Sequence, residues 1–161
     1  MPAFKGVDHV SFSVTDLDRS ERFYVDVLGL MPLMDFGYAR LFLDRPSGFM
    51  LSVVRHEAGA GGPFTELTTG LDHVGFAAES REELEEWERR FDEHGVVYTP
   101  IRDMEFGYHL NFRDPDGIAL EFSASNAVLT GWLEELRENE LSQEEIQARV
   151  MAYLGSLQPN P

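Results

Sequence analysis

The feature that most constrains the fold of this chain is an internal repeat with an offset of 64 residues. The segment GVDHVSFSV, which starts at Gly6, matches GLDHVGFAA, which starts at Gly70. A second pair follows, in which FLDRPSGFMLSV from Phe42 matches FRDPDGIALEF from Phe112 after the insertion of one residue. Self-similarity at one offset indicates two copies of a supersecondary unit. We therefore predict two related modules, at about 4–57 and 68–125.

Both modules have the sequence pattern of a strand, a helix and further strands. In the first strand, Val10, Phe12 and Val14 alternate with polar residues, which is typical of a strand with one face in an apolar layer. A helical pattern follows, and short apolar stretches separated by turn residues complete each module. These stretches are 38–43 and 49–54 in the first module, and 108–112 and 118–122 in the second. The prediction is a β-α-β-β-β order in each module and an α+β fold class.

The rest of the chain differs from the repeat in composition. Segment 58–63, AGAGGP, is typical of a flexible linker. In the C-terminal part, Trp132 and Leu136 are spaced as on one face of a helix, and Ser142 with Glu145 predicts the capped start of another. We therefore predict a single domain at 1–125, made of the two modules, followed by a helical extension at 126–161.

Charge and cysteine content narrow the classes of partner and the compartment. The formal net charge is −16, which would repel a nucleic-acid backbone and an anionic lipid surface alike, so we expect neither as a partner. The chain has no cysteine, which removes disulfides and thiolate nucleophiles and suits a reducing compartment. The N-terminal sequence lacks the apolar core of a signal peptide. The expected location is the cytoplasm, and the expected partner is a small molecule.

Three side chains able to bind a metal fall at related positions. His9 and His73 match each other in the repeat, and both are expected on the more polar face of their strands. Glu121 lies between Leu120 and Phe122, whose apolar side chains turn the carboxylate to the opposite face. A carboxylate facing a sheet interior is costly unless it is paired or bound to a metal. Two imidazoles and one carboxylate form a facial triad, so the sequence predicts a site for one divalent ion.

The paired modules, the Asp-His-Val that opens each of them and the closing segment DPDGIALE at 114–121 resemble the vicinal oxygen chelate superfamily. This superfamily includes glyoxalases, bleomycin-resistance proteins and extradiol dioxygenases, and the likeness covers about 4–125. It implies that the modules bring their strands together into a cup-shaped mixed sheet. It also implies a metal inside the cup on His9, His73 and Glu121, which would be Fe, Mn, Ni, Co or Zn. One scaffold of this kind serves isomerisation, epimerisation, thiol addition and ring cleavage.

Two positions depart from the patterns of particular subfamilies. The repeat places Ser52 where glyoxalase I-like members carry a carboxylate, and an unionised hydroxyl is a weak ligand for a divalent ion. Thiol transferases acting on fosfomycin and extradiol dioxygenases usually have a tyrosine ten residues before the glutamate, where this chain has Asn111. The resemblance therefore leaves the reaction open.

Strand alternation predicts the lining of the cup. If Phe112 packs outward, then His109, Asn111 and Arg113 face the cup. His109 is then a candidate general acid or base, and Ser52, Asn111 and Arg113 are candidates for substrate binding. The matching positions of the first module form an apolar wall: Ala39, Leu41 and Leu43. We expect a substrate with an apolar body and neighbouring oxygens at one end.

Two functions from different classes fit these residues. The first is a metal-dependent enzyme of lyase, isomerase or dioxygenase type that acts on a small oxygenated metabolite. The second is a metal-free binding protein of the bleomycin-resistance type, which would sequester a drug or metabolite. Retention of all three ligands favours the enzyme. We expect a homodimer, because exposed strand edges and an amphipathic tail both need cover.

Overall fold

The computed structural model describes residues 6–59 and 61–157. Three stretches lie outside the described residues: 1–5 of the predicted domain, Ala60 of the predicted linker and 158–161 of the predicted helical extension. The first module contains β1 (His9–Ser13), α1 (Leu17–Arg22), a π-helical continuation (Phe23–Val27), β2 (Met31–Asp35), β3 (Ala39–Leu43) and β4 (Met50–Val54). The second contains β5 (Val74–Ala78), α2 (Arg81–His94), β6 (Arg102–Met104), β7 (Gly107–Arg113) and β8 (Ala119–Ser125). The predicted β-α-β-β-β order and α+β class are confirmed.

The strands form two mixed sheets of four, here called the first and the second sheet after their modules. Their orders are β1-β4-β3-β2 and β5-β8-β7-β6. In each sheet the first strand pairs in parallel with the fourth, and the remaining ladders are antiparallel. Among the described residues, no ladder joins the two sheets. The edge strands β1 and β5 therefore each keep one side free of backbone pairing within a chain.

Side-chain caps define where several helices begin and end. Asp16 accepts a hydrogen bond from the backbone N–H of Arg19 (3.0 Å) and starts α1. Ser80 caps α2 in the same way, and α2 ends at Gly95, whose φ of 65° is in the left-handed region that glycine adopts without strain. Two further helices follow β8, which ends at Ser125, and they lie within 127–156.

The apolar faces of the two sheets and the helices share one core. Phe42 of the first sheet and Phe112 of the second are both almost fully buried. The ring of Phe91 in α2 lies 4.7 Å from that of Phe112, centroid to centroid. Phe23, in the π-helical continuation of α1, lies 6.5 Å from the same ring. The helical segment of the first module therefore packs directly on the sheet of the second.

A polar cluster joins the modules beside this core. Asp116, in the turn before β8, accepts hydrogen bonds from the Thr15 backbone (3.0 Å), the Thr15 hydroxyl (2.5 Å) and Arg19 (2.6 Å). In the same turn, Asp114 accepts a hydrogen bond from the Tyr24 hydroxyl (3.0 Å). Burial raises the pKa of the Asp114 carboxyl, and burial followed by the charge of Asp114 raises the pKa of Tyr24. The start of β8 is therefore attached to the first module.

The C-terminal extension consists of α3 (Ala127–Glu138) and α4 (Gln143–Ser156), as predicted. The ring of Phe106, between β6 and β7, lies 5.9 Å from Trp132 of α3 and 5.3 Å from Tyr153 of α4. Ser142 and Glu145 form the predicted capping box at the start of α4. In the part of the chain that the structure describes, no helix is long and apolar enough to cross a membrane.

Replacement of Asp116 by alanine tests the polar cluster that joins the modules. We expect a loss of about 2 to 4 kcal/mol in the free energy of unfolding, because partly buried donors lose a charged acceptor. Urea denaturation at neutral pH measures this loss. Asp103→Ala is the matched control, because it breaks only the exposed pair with Arg81 and should change stability little. Equal urea midpoints for the two variants would contradict a stabilising role of the polar cluster.

Candidate metal and substrate site

Each sheet leaves one face outside the shared core, and the predicted site residues lie on these uncovered faces. In β7, Leu110 and Phe112 are buried, whereas His109, Asn111 and Arg113 are only partly buried. The alternation predicted for β7 is therefore observed. Because successive residues of a strand point to opposite faces, the side chains of His109, Asn111 and Arg113 share the uncovered face of the second sheet.

Glu121 is the buried carboxylate of this face. It lies opposite Gly75 of β5 and opposite Asn111 of β7 in the strand register, and only 8% of the residue is exposed. Its Oε2 atom is 2.8 Å from Nδ1 of His109. An ionised carboxylate only accepts hydrogen bonds, so Nδ1–H of His109 is the donor. The second oxygen, Oε1, lies beside Gly75, where an ideal Cβ atom would be 3.8 Å away.

The two repeat histidines share one local geometry. Nδ1 of His9 is 2.8 Å from Oδ2 of Asp8, and Nδ1 of His73 is 2.7 Å from Oδ1 of Asp72. A neutral imidazole that donates its Nδ1–H to the neighbouring aspartate has a lone pair on Nε2. A carboxylate that orients an imidazole in this way is the usual companion of a metal-binding histidine. Both imidazoles are also well exposed, at 56% for His9 and 45% for His73.

Within one chain the three predicted ligands do not form one cluster. Over 6–59 and 61–157, no three His, Cys, Asp or Glu side chains are grouped so that they could hold a metal ion. His73 directly precedes β5, which pairs with the strand that carries Glu121. His9 instead begins β1 in the other sheet. A single chain therefore places two of the predicted ligands on the second sheet and the third on the first.

The candidate substrate-binding residues have different surroundings. Arg113 donates hydrogen bonds to both carboxylate oxygens of Glu66, at 2.7 and 3.2 Å. This pairing lowers the pKa of the Glu66 carboxyl. An anion that binds Arg113 must therefore compete with Glu66. Asn111 lies next to the Glu121 carboxylate in the register, whereas Ser52 belongs to the other sheet.

The uncovered face of the first sheet is partly apolar. Ser52 lies opposite Ser11 of β1 on one side and opposite Leu41 of β3 on the other. The predicted apolar wall belongs to β3, where Leu41 and Leu43 are half-buried and Ala39 is buried. In place of a carboxylate at the position that matches Glu121, the first sheet therefore presents hydroxyl groups with aliphatic side chains beside them.

Two contributions were missed in the sequence. The aspartates that orient His9 and His73 were visible in the repeated Asp-His dipeptide but were not given a role. Glu66 had no such signal, because it lies 47 residues before Arg113 in a segment without strand or helix periodicity. Only the fold brings these two charges together.

The donor chemistry of these faces fits a divalent cation. His9 and His73 each offer an Nε2 lone pair, and Glu121 offers a carboxylate oxygen that is not hydrogen-bonded by any side chain of the described residues. Imidazole nitrogen and carboxylate oxygen together suit Fe, Mn, Ni, Co and Zn. The residue types can therefore supply a three-ligand site if the three donors are brought together, which one chain does not do over 6–59 and 61–157.

Comparison with known proteins gives a consistent result across the repeat. A family model described as Glyoxalase/Bleomycin resistance protein/Dioxygenase superfamily matches residues 6–122. Among curated proteins, the chain is 27% identical over 119 residues to metallothiol transferase FosB of Staphylococcus saprophyticus subsp. saprophyticus. That match spans 73% of this chain and 75% of the relative.

Two solved structures show the same architecture. A glyoxylase/bleomycin resistance protein/dioxygenase domain from Frankia sp. EAN1pec is 34% identical, with a TM-score of 0.70, and the match covers 77% of this chain and 100% of that one. The fosfomycin resistance protein FosX from Listeria monocytogenes, complexed with Mn(II) and sulfate, is 20% identical, with a TM-score of 0.61 and coverage of 78% and 94%. At the latter identity the likeness shows the fold alone.

Proposed function

Because the chain belongs to the Glyoxalase/Bleomycin resistance protein/Dioxygenase superfamily, we propose that it is a metal-dependent enzyme acting on a small oxygenated substrate. The observation that carries the proposal is the Glu121 carboxylate. It is buried although it lies outside the shared core, and one of its oxygens lies beside Gly75. Burial of a charge is costly unless the charge is compensated. A cation at this oxygen would compensate it, and the curated relative is itself named a metallothiol transferase.

His73, Glu121 and His9 are the proposed ligands of one divalent ion. The bound ion would supply Lewis acidity, which stabilises negative charge that develops on neighbouring substrate oxygens. Asn111, next to Glu121, offers an amide group for a substrate oxygen. Arg113 offers a guanidinium for an anionic group, at the cost of its contact with Glu66.

Replacing the proposed carboxylate ligand tests metal dependence. Protein purified without added metal should contain about one divalent ion per site, and Glu121→Ala should lose most of it because two histidines alone make a weak site. Elemental analysis measures the content, and circular dichroism checks the fold. Ser123→Ala, on the same strand and face, is the matched control. Equal metal in both variants would refute the ligand assignment. A metal-free wild type that binds small molecules tightly would instead support a sequestering protein.

The third ligand, His9, is proposed to come from a second copy of the chain. Three observations support this. One chain leaves His9 on a separate sheet, the edges of β1 and β5 are free of ladders among the described residues, and the histidine faces are exposed. Four large apolar side chains around β2 and the turn after it are also 41% to 63% exposed: Leu33, Met34, Phe36 and Tyr38. Apolar surface of this kind favours a protein interface, here that of a homodimer.

Mixing two variants that each lack the metal tests whether the site is shared between two chains. His9→Ala and Glu121→Ala should each lose the metal when alone. Co-refolded in equal amounts, they should regain about a quarter of the wild-type metal content, because each mixed dimer then contains one site with all three ligands. Light scattering during the experiment reports the dimer. No recovery in a mixture that forms mixed dimers would contradict a site shared between two chains, and metal retained by His9→Ala alone would exclude His9 as a ligand.

The substrate class follows from the two uncovered faces. If the faces of two copies meet, the apolar wall on β3 lies opposite a polar wall that carries Asn111 and Arg113, which suits an apolar or aromatic body with oxygens at one end. In a thermal-shift panel with metal present, catechols and hydroxy acids should stabilise the protein more than sugar phosphates. A set of binders dominated by sugar phosphates would show that the apolar wall does not line the site.

A further inference from the structure

The Glu121 carboxylate is held from one side only. Among the described residues, His109 is the one side chain that hydrogen-bonds it, and the contact of 2.8 Å uses Oε2. His109 lies on β7 opposite Ser123, one step diagonally from Glu121 on the same face. A buried carboxylate with a single donor on one oxygen has a defined orientation, and its other oxygen is free.

The free oxygen lies beside a gap in the row of side chains on β5. Oε1 is 3.8 Å from where the Cβ atom of Gly75 would be, so a side chain larger than a methyl group would reach the carboxylate. Because side chains alternate along β5, Ala77 lies on the same face as Gly75. The same spacing of two residues leads back to His73, which directly precedes the strand. The gap therefore lies directly beside the free oxygen, two residues along the chain from the predicted histidine ligand.

The first module carries side chains at both of the matching positions. There Ser11 lies opposite Ser52, in the same parallel register in which Gly75 lies opposite Glu121. The first module thus has a side chain where the second has none, and a hydroxyl where the second has a carboxylate. In the second module the glycine and the carboxylate therefore occur together, which supports a role for the space beside Glu121.

We propose that His109 is a positioning residue for the metal, which fixes Glu121 through Oε2 so that Oε1 faces the space left open by Gly75. This inference rests on the proposed function and deepens it. It gives His109 a role beside the general acid or base expected from the sequence, because Nδ1–H donates to Glu121 while Nε2 is not used in this contact. The metal would be bound at the side of the Gly75 gap, next to His73.

Two substitutions at His109 separate these roles. His109→Leu removes the donor and should raise the Kd for Mn²⁺ about 10- to 100-fold, which is the usual effect of losing such a supporting hydrogen bond. His109→Asn keeps an amide N–H near the position of Nδ1, so its Kd should stay close to that of the wild type. His56→Leu, at an exposed histidine outside the site, is the matched control. Calorimetry with Mn²⁺ and the absorption spectrum of the Co²⁺-loaded protein give readouts independent of activity.

A second pair of variants tests the gap without touching a hydrogen bond. Gly75→Val favours the strand conformation but fills the space beside Oε1, so we expect the Kd for Mn²⁺ to rise about tenfold or more. Ala77→Val adds similar bulk two residues along the same strand and face, and it should bind as the wild type does. Because valine suits a strand, neither variant is expected to fail in folding.

The outcomes distinguish this inference from the proposed function. A wild type that binds no divalent metal overturns both. A wild type that binds Mn²⁺, together with unchanged affinity in His109→Leu and Gly75→Val, overturns only the positioning role. Loss of turnover in both His109→Leu and His109→Asn with wild-type Mn²⁺ affinity would identify His109 as a proton carrier instead, and would also refute the inference.

Discussion

The structure depends on the burial of one apolar face from each sheet in a single shared core. Because strand side chains alternate between faces, packing Leu110 and Phe112 into that core places His109 and Asn111 on the opposite face. The helices of both modules pack on the apolar faces, so the polar faces remain outside the core. The candidate ligands therefore lie on faces outside the shared core, where His9 and His73 are exposed and Glu121 is buried.

The polar cluster at the turn before β8 also bears on the position of the Glu121 carboxylate. Asp114 and Asp116 bind Tyr24, Thr15 and Arg19 of the first module, and β8 begins three residues after this pair. Glu121 is the third residue of β8. The strand that carries the carboxylate is thus anchored at its start to the other module, and changes in the packing between modules would be expected to move the carboxylate.

The two modules repeat one backbone plan but not one chemistry. In equivalent registers, the first sheet pairs Ser11 with Ser52 and the second pairs Gly75 with Glu121. A site built from both modules would therefore contain one carboxylate instead of two, together with two histidines that are oriented in the same way by Asp8 and Asp72. With a metal bound, this asymmetry would leave more open coordination positions for a substrate than a four-ligand site does.

The local sequence pattern was sufficient to predict most helices and strands and the faces of the central strands. Periodicity and caps depend only on neighbours along the chain, so both can be seen in the sequence. The repeat, the capping box at Ser142 and the alternation around Glu121 all have this origin. The strands β2 and β6 were not located, because both are edge strands whose residues are mostly exposed on both faces, so they carry no alternation.

Contacts between distant segments came only from the tertiary structure. The hydrogen bond from His109 to Glu121 depends on how two strands are aligned, and the pairing of Arg113 with Glu66 depends on the path of the segment between the modules. The position of His9 on a sheet separate from His73 is likewise a result of packing, because it follows from which strands pair and which edges stay free. Sequence spacing identifies which residues can bind a metal, but distances between them arise only when the apolar faces have packed.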